Sequence, residues 1–391
     1  SKDLMVRGQS FYAIWDEAKG LWSTDEYDVQ RLVDEDLQKH AKELSVKTGV
    51  TYQVKNLKSF DTQVWTIFRK FMRHISDNSH PLDEKLVFAN TEVKKSDYAS
   101  KRLPYSLEDG SIDAWDELLS VLYSPEEREK IEWAIGAVIS GDSKKIQKFL
   151  VFYGPAGSGK STILNIVQKL FDGYVATFDA KALGSSNNAF STEVFRSNPL
   201  VAIQHDGDLS RIDDNTKLNS IISHEEMTMN EKYKPSYTAR VNAFLFMGTN
   251  QPVKISDAKS GIIRRLIDVH PTGNKIDSDR YHILINQIDF ELGAIATHCL
   301  NKYKSLGKNH YNGYRPLEMM LQTDVFYNYI EAYCDIFRSQ DGASLKQAYE
   351  LYKEYCAETG IEKLLPQYKF REELRNYFEN FDDRITLNGS T

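Results

Sequence analysis

Residues 154–162 read Gly154-Pro155-Ala156-Gly157-Ser158-Gly159-Lys160-Ser161-Thr162, and this stretch decides the fold of the chain. It matches the pattern G-x-x-x-x-G-K-[ST], with an apolar run at 149–153 before it and an amphipathic pattern up to Leu170 after it. That order predicts a strand, a glycine-rich loop and a helix, the context in which backbone N–H groups and a helix N-terminus surround a phosphate. We therefore expect this loop to bind a nucleoside triphosphate.

Two side chains at the end of the loop have the chemistry that phosphates and magnesium need. Lys160 is placed to reach the β- and γ-phosphates, and the Ser161 hydroxyl is placed to bind Mg²⁺. The predicted ligands are thus ATP and Mg²⁺. A tight turn that is glycine-rich by chance is the alternative, and the flanking strand and helix patterns argue against it.

A second apolar run, 200–203, ends in Gln204-His205-Asp206-Gly207-Asp208. In a phosphate-loop fold, an acid at the end of a neighbouring strand holds Mg²⁺ through water or polarises the attacking water. We predict this role for Asp206, with Asp208 as the second choice. A loop of solvated acids is the alternative.

A third apolar run, 243–247, leads to Asn250, whose amide is suited to orient an attacking water at a strand end. Further along, Arg264 and Arg265 precede the strand-like run 266–269. An arginine on the surface of an oligomer can reach a neighbour's γ-phosphate and stabilise the transition state. Either arginine is a candidate for that role.

The stretch 227–237 lies between strand-like runs and predicts a hairpin with a basic tip. Lys232 and Lys234 stand at that tip, and we expect them to contact DNA phosphates.

The chain has 391 residues and a formal net charge of −7, which argues against a protein coated in basic surface. Any contact with nucleic acid must come from local groups of lysine and arginine. Its three cysteines, Cys299, Cys334 and Cys356, show no metal-ligand spacing and predict reduced thiols in the cytoplasm. No apolar run approaches the roughly 18 residues needed to cross a bilayer, so no membrane contact is expected.

Pattern changes divide the chain into three predicted domains. Residues 1–125 are expected to be mostly helical, 126–275 to form the ATPase domain, and 276–391 to form a helical, winged-helix-like domain. The first boundary rests on Ser124-Pro125, a helix-start signal with a capping serine and a first-turn proline. Because the chain begins with Ser1, a further domain upstream is expected.

Asn274-Lys275-Ile276-Asp277 matches the guanine-reading N-K-x-D of GTPases. Two features argue against a GTPase: no D-x-x-G follows the second strand, and 270–273 separate the motif from its own strand. We interpret these four residues as a turn.

The order of these features resembles the superfamily 3 helicases, in particular the primase-helicases of phages and poxviruses. The resemblance is specific from 150 to 270, where all three nucleotide motifs fall between 154 and 250, and weaker in the flanking regions. It implies an α/β P-loop NTPase core of AAA+ type, flanked by an N-terminal helical domain and a C-terminal winged-helix-like domain.

The resemblance also implies a function: an ATP-dependent helicase, a homo-hexamer that translocates on single-stranded DNA and unwinds forked duplex DNA. Travel would be 3′→5′, with a primase or primase-polymerase module upstream. Lys160 would be the phosphate lysine, Asn250 the sensor, and Arg264 or Arg265 the arginine acting on the adjacent subunit. The family usually has two adjacent acids in its second motif, and His205 stands in the first of those places.

Two other functions remain possible from the sequence. One is another phosphate-loop ATPase, such as a protein-remodelling ring or a nucleotide kinase, and the hydrolysis of a remodelling ring would be insensitive to single-stranded DNA. The other is a non-motor replication initiator that uses ATP as an assembly switch and shows no strand displacement.

Overall fold

Two β-sheets and a hairpin are present in the computed structural model, which describes residues 3–7, 10–54, 62–75, 80–184, 190–207, 216–230, 236–251, 261–317, 325–338, 342–358, 364–378 and 381. The strands are β1 (Leu4–Arg7), β2 (Ser10–Asp16), β3 (Leu21–Ser23), β4 (Phe149–Tyr153), β5 (Val175–Thr177), β6 (Val201–Gln204), β7 (Glu226–Met229), β8 (Tyr237–Arg240), β9 (Phe244–Thr249) and β10 (Leu266–Val269).

The helices are α1 (Glu26–Thr48), α2 (Thr62–Ile75), α3 (Asp113–Leu122), α4 (Pro125–Ile139), α5 (Lys160–Leu170), α6 (Ala180–Leu183), α7 (Thr216–Ile222), α8 (Ser278–Leu306), α9 (Val325–Ala332), α10 (Cys334–Phe337), α11 (Leu345–Glu358) and α12 (Gln367–Tyr377). Within the described part of the chain, none of these helices combines the length and the apolar character that crossing a membrane requires.

The central sheet has five parallel strands in the order β10-β4-β9-β6-β5. Its middle strands are continuous apolar runs, as expected of parallel strands that helices cover on both faces. Strand β9 lies between β4 and β6, with Phe246 opposite both Leu150 and Ile203. The predicted α/β core is confirmed.

The direction of the strands decides where polar residues meet. Because β4, β6 and β9 are parallel, the loop after Tyr153, the turn at Asp206 and the residue Asn250 all follow carboxyl ends at one edge of the sheet. Arg264 precedes β10 and therefore lies at the opposite edge. Strand β4 spans five residues, so the two edges are separated by roughly 16 Å.

The first residues of the chain form an antiparallel sheet, β1-β2-β3, with Trp15 opposite Trp22. The expectation of a mostly helical segment did not include this sheet, although α1, α2 and α3 are present. β1 and β3 span only four and three residues, and in β2 the apolar residues run consecutively up to Trp15, with Ile14, Trp15 and Asp16 all buried. Local alternation was therefore absent from the sequence.

One buried core joins segments on both sides of positions 125 and 275. It contains Trp115 from α3, Trp133 from α4, Phe152 from β4 and Ile295 from α8. The predicted start of α4 is confirmed, since the Ser124 hydroxyl accepts a hydrogen bond from the Glu127 backbone N–H and Pro125 is the first helical residue. The domain boundaries themselves stay predictions.

A separate apolar cluster lies near the C-terminus, where α9, α11 and α12 pack together. Its buried residues are Phe326, Tyr329, Ile330, Ala348, Tyr352, Cys356, Phe370 and Leu374. The dense tyrosines of this region are thus mainly packing residues. The winged-helix-like fold stays a prediction, because residues 382–391 lie outside the described part.

The contact between α4 and α8 gives a test of this packing. A Cβ added at Gly136 would lie 2.1 Å from the Cys299 carbonyl oxygen and 2.6 Å from the Tyr303 Cβ. We expect Gly136→Ala to lower the free energy of unfolding by about 2–3 kcal/mol, since backbone must move to make room. Urea unfolding measures this change.

Gly313→Ala is the matched control, because a Cβ there has nothing within 4 Å. It should change the free energy of unfolding by less than about 0.5 kcal/mol. Equal effects of the two substitutions would contradict the close packing of α4 on α8.

Candidate functional site

The glycine-rich loop turns tightly between β4 and α5. Gly157 and Gly159 have positive φ angles of 76° and 92°, a region that favours glycine. A Cβ at Gly159 would also lie 2.9 Å from Leu122. The loop can therefore bring its backbone N–H groups and the N-terminus of α5 to one point, where anions bind well.

Lys160, the first residue of α5, is only 6% exposed. Its Nζ donates hydrogen bonds to the carbonyl oxygens of Gly154 (2.6 Å) and Pro155 (2.8 Å) and to Asn250 Oδ1 (2.7 Å). Burial lowers the pKa of Lys160, and the negative charge of Asp206 opposes that shift. The ammonium group is thus held inside the loop, facing the end of β9.

Asn250 connects this lysine to the acidic turn after β6. Its Nδ2 lies 3.5 Å from Asp206 Oδ1, while its Oδ1 accepts from Lys160. Three residues that the sequence singled out are therefore brought together across neighbouring strands. Their chemical roles stay predictions, and Asp208 lies outside the described residues.

One polar group in the loop is buried and unsatisfied. Ser158 is 5% exposed, and its Oγ has no hydrogen-bond partner among the described residues. A buried hydroxyl without a partner costs free energy, so such a group at a loop of backbone donors indicates a place for an acceptor ligand.

The oxygen atoms beside the loop fit a magnesium ion whose remaining ligands come from a phosphate. Ser161 and Asp206 are exposed and offer a hydroxyl and a carboxylate, the hard oxygen ligands that Mg²⁺ prefers. No group of three or more His, Cys, Asp or Glu residues suited to a metal occurs within the described ranges. A metal at this position would need oxygen atoms from a substrate as well.

A pocket of about 300 Å³ opens beside the loop. It is lined by the second half of the loop and by residues distant from it in sequence. The lining residues are Leu122, Gly157, Ser158, Gly159, Lys160, Ser161, Thr162, Asn274, Lys275, Ile276 and Tyr281. Sequence reasoning missed Leu122 and Tyr281, since no pattern in the chain relates either of them to residues 157–162. The motif at 274–277, interpreted above as a turn, is an irregular loop, and it borders this pocket.

The structure bears on the GTPase alternative. Asp277 is the N-cap of α8, and its Oδ1 accepts hydrogen bonds from the backbone N–H groups of Asp279 and Arg280. It does not line the pocket. Because guanine reading requires this aspartate to pair with the base, its role as a helix cap argues against a GTPase.

The two adjacent arginines occupy different environments. Arg265 is buried, and its guanidinium donates to the Gly261 carbonyl oxygen (2.7 Å) and to Ser223 Oγ (2.6 Å). Burial, together with the charge of Arg264, lowers the pKa of Arg265. Arg264 is exposed at the amino end of β10. Arg265 therefore makes its contacts within its own chain, and Arg264 is the one that faces outward.

Lys148 fixes the backbone at this arginine pair. Its side chain is buried just before β4, and its Nζ donates to the Arg264 carbonyl oxygen at 2.5 Å. Burial lowers the pKa of Lys148 to about 8. Strand β4 thus carries the glycine-rich loop at one end and a support for Arg264 at the other.

The predicted hairpin is present as β7 and β8, with Glu226 opposite Arg240 and Met229 opposite Tyr237. Every second residue along both of its strands is exposed. Lys232 and Lys234, the predicted DNA contacts at the tip, lie outside the described residues.

Comparison with known proteins gives limited similarity. A family model described as a family of unknown function (DUF5906) matches residues 152–265. Three apo structures of the NrS-1 C terminal region, two of them in an A form, are similar to this chain at 14%, 13% and 11% identity, with TM-scores of 0.40, 0.44 and 0.39.

These matches cover 65%, 84% and 73% of this chain and 64%, 89% and 75% of the NrS-1 chains. In the first of these comparisons, the match therefore covers less than two thirds of the NrS-1 chain. Superposition at this level does not establish a shared fold.

The buried Lys148 predicts a specific pH dependence of stability. Its pKa is about 8 in the folded chain against an ordinary value of 10.5, so between these values the unfolded chain binds more protons and wild-type stability rises with pH. The Lys148→Met variant should lack that rise in stability with pH. Between pH 7.5 and 10, the free energy of unfolding of wild type should increase relative to that of Lys148→Met by roughly 2–3 kcal/mol.

Urea unfolding of both proteins at several pH values measures this shift. Lys169→Met is the control, because Lys169 is a half-exposed lysine paired with Asp289 on the surface. A Lys148→Met difference that stays constant across pH would show that the Lys148 ammonium is not desolvated.

Proposed function

We propose that this chain is the helicase part of an ATP-dependent DNA helicase of superfamily 3, active in viral, phage or mobile-element replication. The observation that carries the proposal is the contact of Lys160, Asn250 and Asp206 at the carboxyl ends of three neighbouring parallel strands, beside a loop with a buried, unpartnered hydroxyl. The sequence resemblance of residues 150–270 to that superfamily supports the same function.

ATP would bind with its phosphates in the glycine-rich loop. Backbone N–H groups at the start of α5 and the Ser158 hydroxyl would donate to phosphate oxygens. The Lys160 ammonium already has three acceptors, two of them loop carbonyls. Phosphate oxygens would replace these acceptors, so binding exchanges hydrogen bonds and adds an attraction between opposite charges.

Ser161 and Asp206 would hold Mg²⁺ together with phosphate oxygens. When bound, the ion neutralises charge that develops on the phosphates. Asn250 would orient the attacking water, since its amide lies between Lys160 and Asp206. Asp206 is exposed and carries an oxygen close to that amide, which suits it to accept the proton of the water.

A neighbouring subunit would complete each site through Arg264. This residue is exposed and lies at the sheet edge opposite its own loop, roughly 16 Å away. This position would let it act on another subunit if copies pack head to tail, and such interfaces form rings when the rotation between copies closes. The family resemblance favours a ring of six.

The β7–β8 hairpin would carry Lys232 and Lys234 into the centre of that ring. Lysines that contact phosphates bind single-stranded DNA without reading its sequence, which suits a protein that moves along it. This arrangement also accounts for an acidic chain that binds DNA, because only the pore needs positive charge. Forked duplex DNA would be the substrate for unwinding, and a primase module would act with this part.

The first test is Lys160→Ala. Loss of the loop ammonium should reduce ATP hydrolysis by at least about 100-fold, because the phosphates lose their main positive partner. Hydrolysis stimulated by single-stranded DNA and strand separation of a forked duplex are the measurements.

Lys169→Ala is the control on the same helix, since its side chain pairs with Asp289 away from the loop. It should leave hydrolysis and unwinding within about twofold of wild type. Hydrolysis by Lys160→Ala at the wild-type rate would refute the assignment of the nucleotide site.

The second test concerns the arginine supplied by a neighbour. Arg264→Ala alone should lose at least about 100-fold in hydrolysis rate. Mixed with Lys160→Ala, it should regain activity, because some interfaces then combine an intact loop with an intact Arg264.

Mixtures of Arg264→Ala with the double variant Lys160→Ala/Arg264→Ala are the control and should stay inactive. Full hydrolysis by Arg264→Ala as a single subunit would refute a site shared between subunits.

A further inference from the structure

The buried side chain of Arg265 connects two parts of the chain that are far apart in sequence. Its Nη1 donates to the Gly261 carbonyl oxygen at 2.7 Å, and its Nη2 donates to Ser223 Oγ at 2.6 Å. Gly261 lies in the turn that carries Arg264, and Ser223 lies between α7 and β7. The guanidinium, called here the Arg265 bridge, therefore joins the turn of Arg264 to the base of the β7–β8 hairpin.

The base of the hairpin is tied to Ser223 on both of its strands. The Ser223 backbone N–H donates to the Asn219 carbonyl oxygen of α7 at 2.9 Å. The next residue, His224, has its Nδ1 2.9 Å from the carbonyl oxygen of Val241, which directly follows β8. Strand β7 begins two residues after His224. A displacement of the hairpin therefore reaches Ser223 and, through it, the Arg265 bridge.

The turn of Arg264 has a second support, on the side of the central sheet. Lys148, directly before β4, donates to the Arg264 carbonyl oxygen at 2.5 Å. This bond joins the turn to the strand whose other end leads into the glycine-rich loop. The turn is therefore held between the central sheet and the hairpin, and a movement of the hairpin changes the position of Arg264 relative to the sheet.

Two buried polar atoms at the Arg265 bridge have no hydrogen-bond partner among the described residues. They are Arg265 Nε, a donor, and Asn219 Oδ1, an acceptor. A Cβ added at Gly261 would lie 2.1 Å from Arg265 Nη1 and 3.5 Å from Asn219 Oδ1, so the guanidinium and the amide are close neighbours. Each unpaired atom costs free energy, and a small rotation of the guanidinium toward Asn219 would pair the two. The bridge therefore has a second arrangement within reach.

We propose that Arg265 is a positioning residue that couples the hairpin to Arg264, so that DNA held by one subunit sets the rate of hydrolysis in the neighbouring site that receives its Arg264. Coupling between two sites needs an element with two arrangements that both sites bias. The guanidinium on Ser223 and the guanidinium on Asn219 are those arrangements. The inference rests on the proposed function, because it takes the hairpin as the DNA contact and Arg264 as the residue that acts on a neighbour.

The test measures ATP hydrolysis by the full chain with and without a saturating single-stranded thymidine oligonucleotide. Ser223→Ala removes one acceptor of the bridge and Asn219→Ala removes the other. Each variant should lose the stimulation by DNA, while basal hydrolysis and oligonucleotide affinity stay within about twofold of wild type. Ser223→Thr retains a hydroxyl and should retain the stimulation.

Ser220→Ala is the matched control on the same helix, because its hydroxyl donates to Glu225 (3.2 Å) and not to the bridge. It should be stimulated by DNA as wild type is.

Mixing shows in which subunit the defect acts. Ser223→Ala mixed with Lys160→Ala should regain stimulation, because some intact loops then receive Arg264 from a copy with an intact bridge. Ser223→Ala mixed with the double variant Lys160→Ala/Ser223→Ala should not regain it. A defect of local structure alone would stay within its own subunit and would not respond to the partner.

The outcomes separate the inference from the proposed function. If DNA stimulates wild type, Ser223→Ala and Asn219→Ala equally, the bridge does not couple the sites and only this inference fails. A lost stimulation that Lys160→Ala does not restore would also overturn it. If wild type does not hydrolyse ATP, or hydrolyses it without any response to DNA, the proposed function fails and the inference fails with it.

Discussion

The buried ammonium of Lys160 is the interaction on which the rest of the site depends. A charge removed from water must be compensated, and the compensation comes from two loop carbonyls and the Asn250 amide oxygen. The same amide reaches Asp206. The loop, the end of β9 and the turn after β6 are therefore held together by one cation, at the point where the negative charge of a phosphate would be accepted.

The parallel sheet separates two groups of polar and charged residues in space. Its carboxyl edge gathers the glycine-rich loop and its polar partners, while its amino edge presents Arg264. Lys148 and Arg265 hold the backbone near Arg264 from inside the subunit. An exposed arginine on a fixed turn, far from its own loop, is the arrangement that a site shared between copies needs.

Helix α8 ties the flanking segments to this sheet. Its Glu291 carboxylate accepts hydrogen bonds from the backbone N–H groups of Ala114 and Trp115 at the start of α3. Its Tyr281 contacts Thr162 beside the loop. Segments more than 150 residues apart thus meet around one pocket, which Leu122 and Ile276 line together with Lys160.

The sequence alone was enough to predict features that depend on interactions between neighbouring residues in the chain. The apolar run at 149–153, the glycines after it and the Ser124-Pro125 start of α4 each act through neighbours in the chain, and the structure has them where they were expected. The convergence of Lys160, Asp206 and Asn250 was also foreseeable, because parallel strands end at one edge. The β1–β3 sheet, the internal contacts of Arg265 and the place of Leu122 and Tyr281 in the pocket were not. Each of these depends on contacts between distant segments, and packing, not local pattern, decides which residue is buried, which faces outward and which borders the pocket.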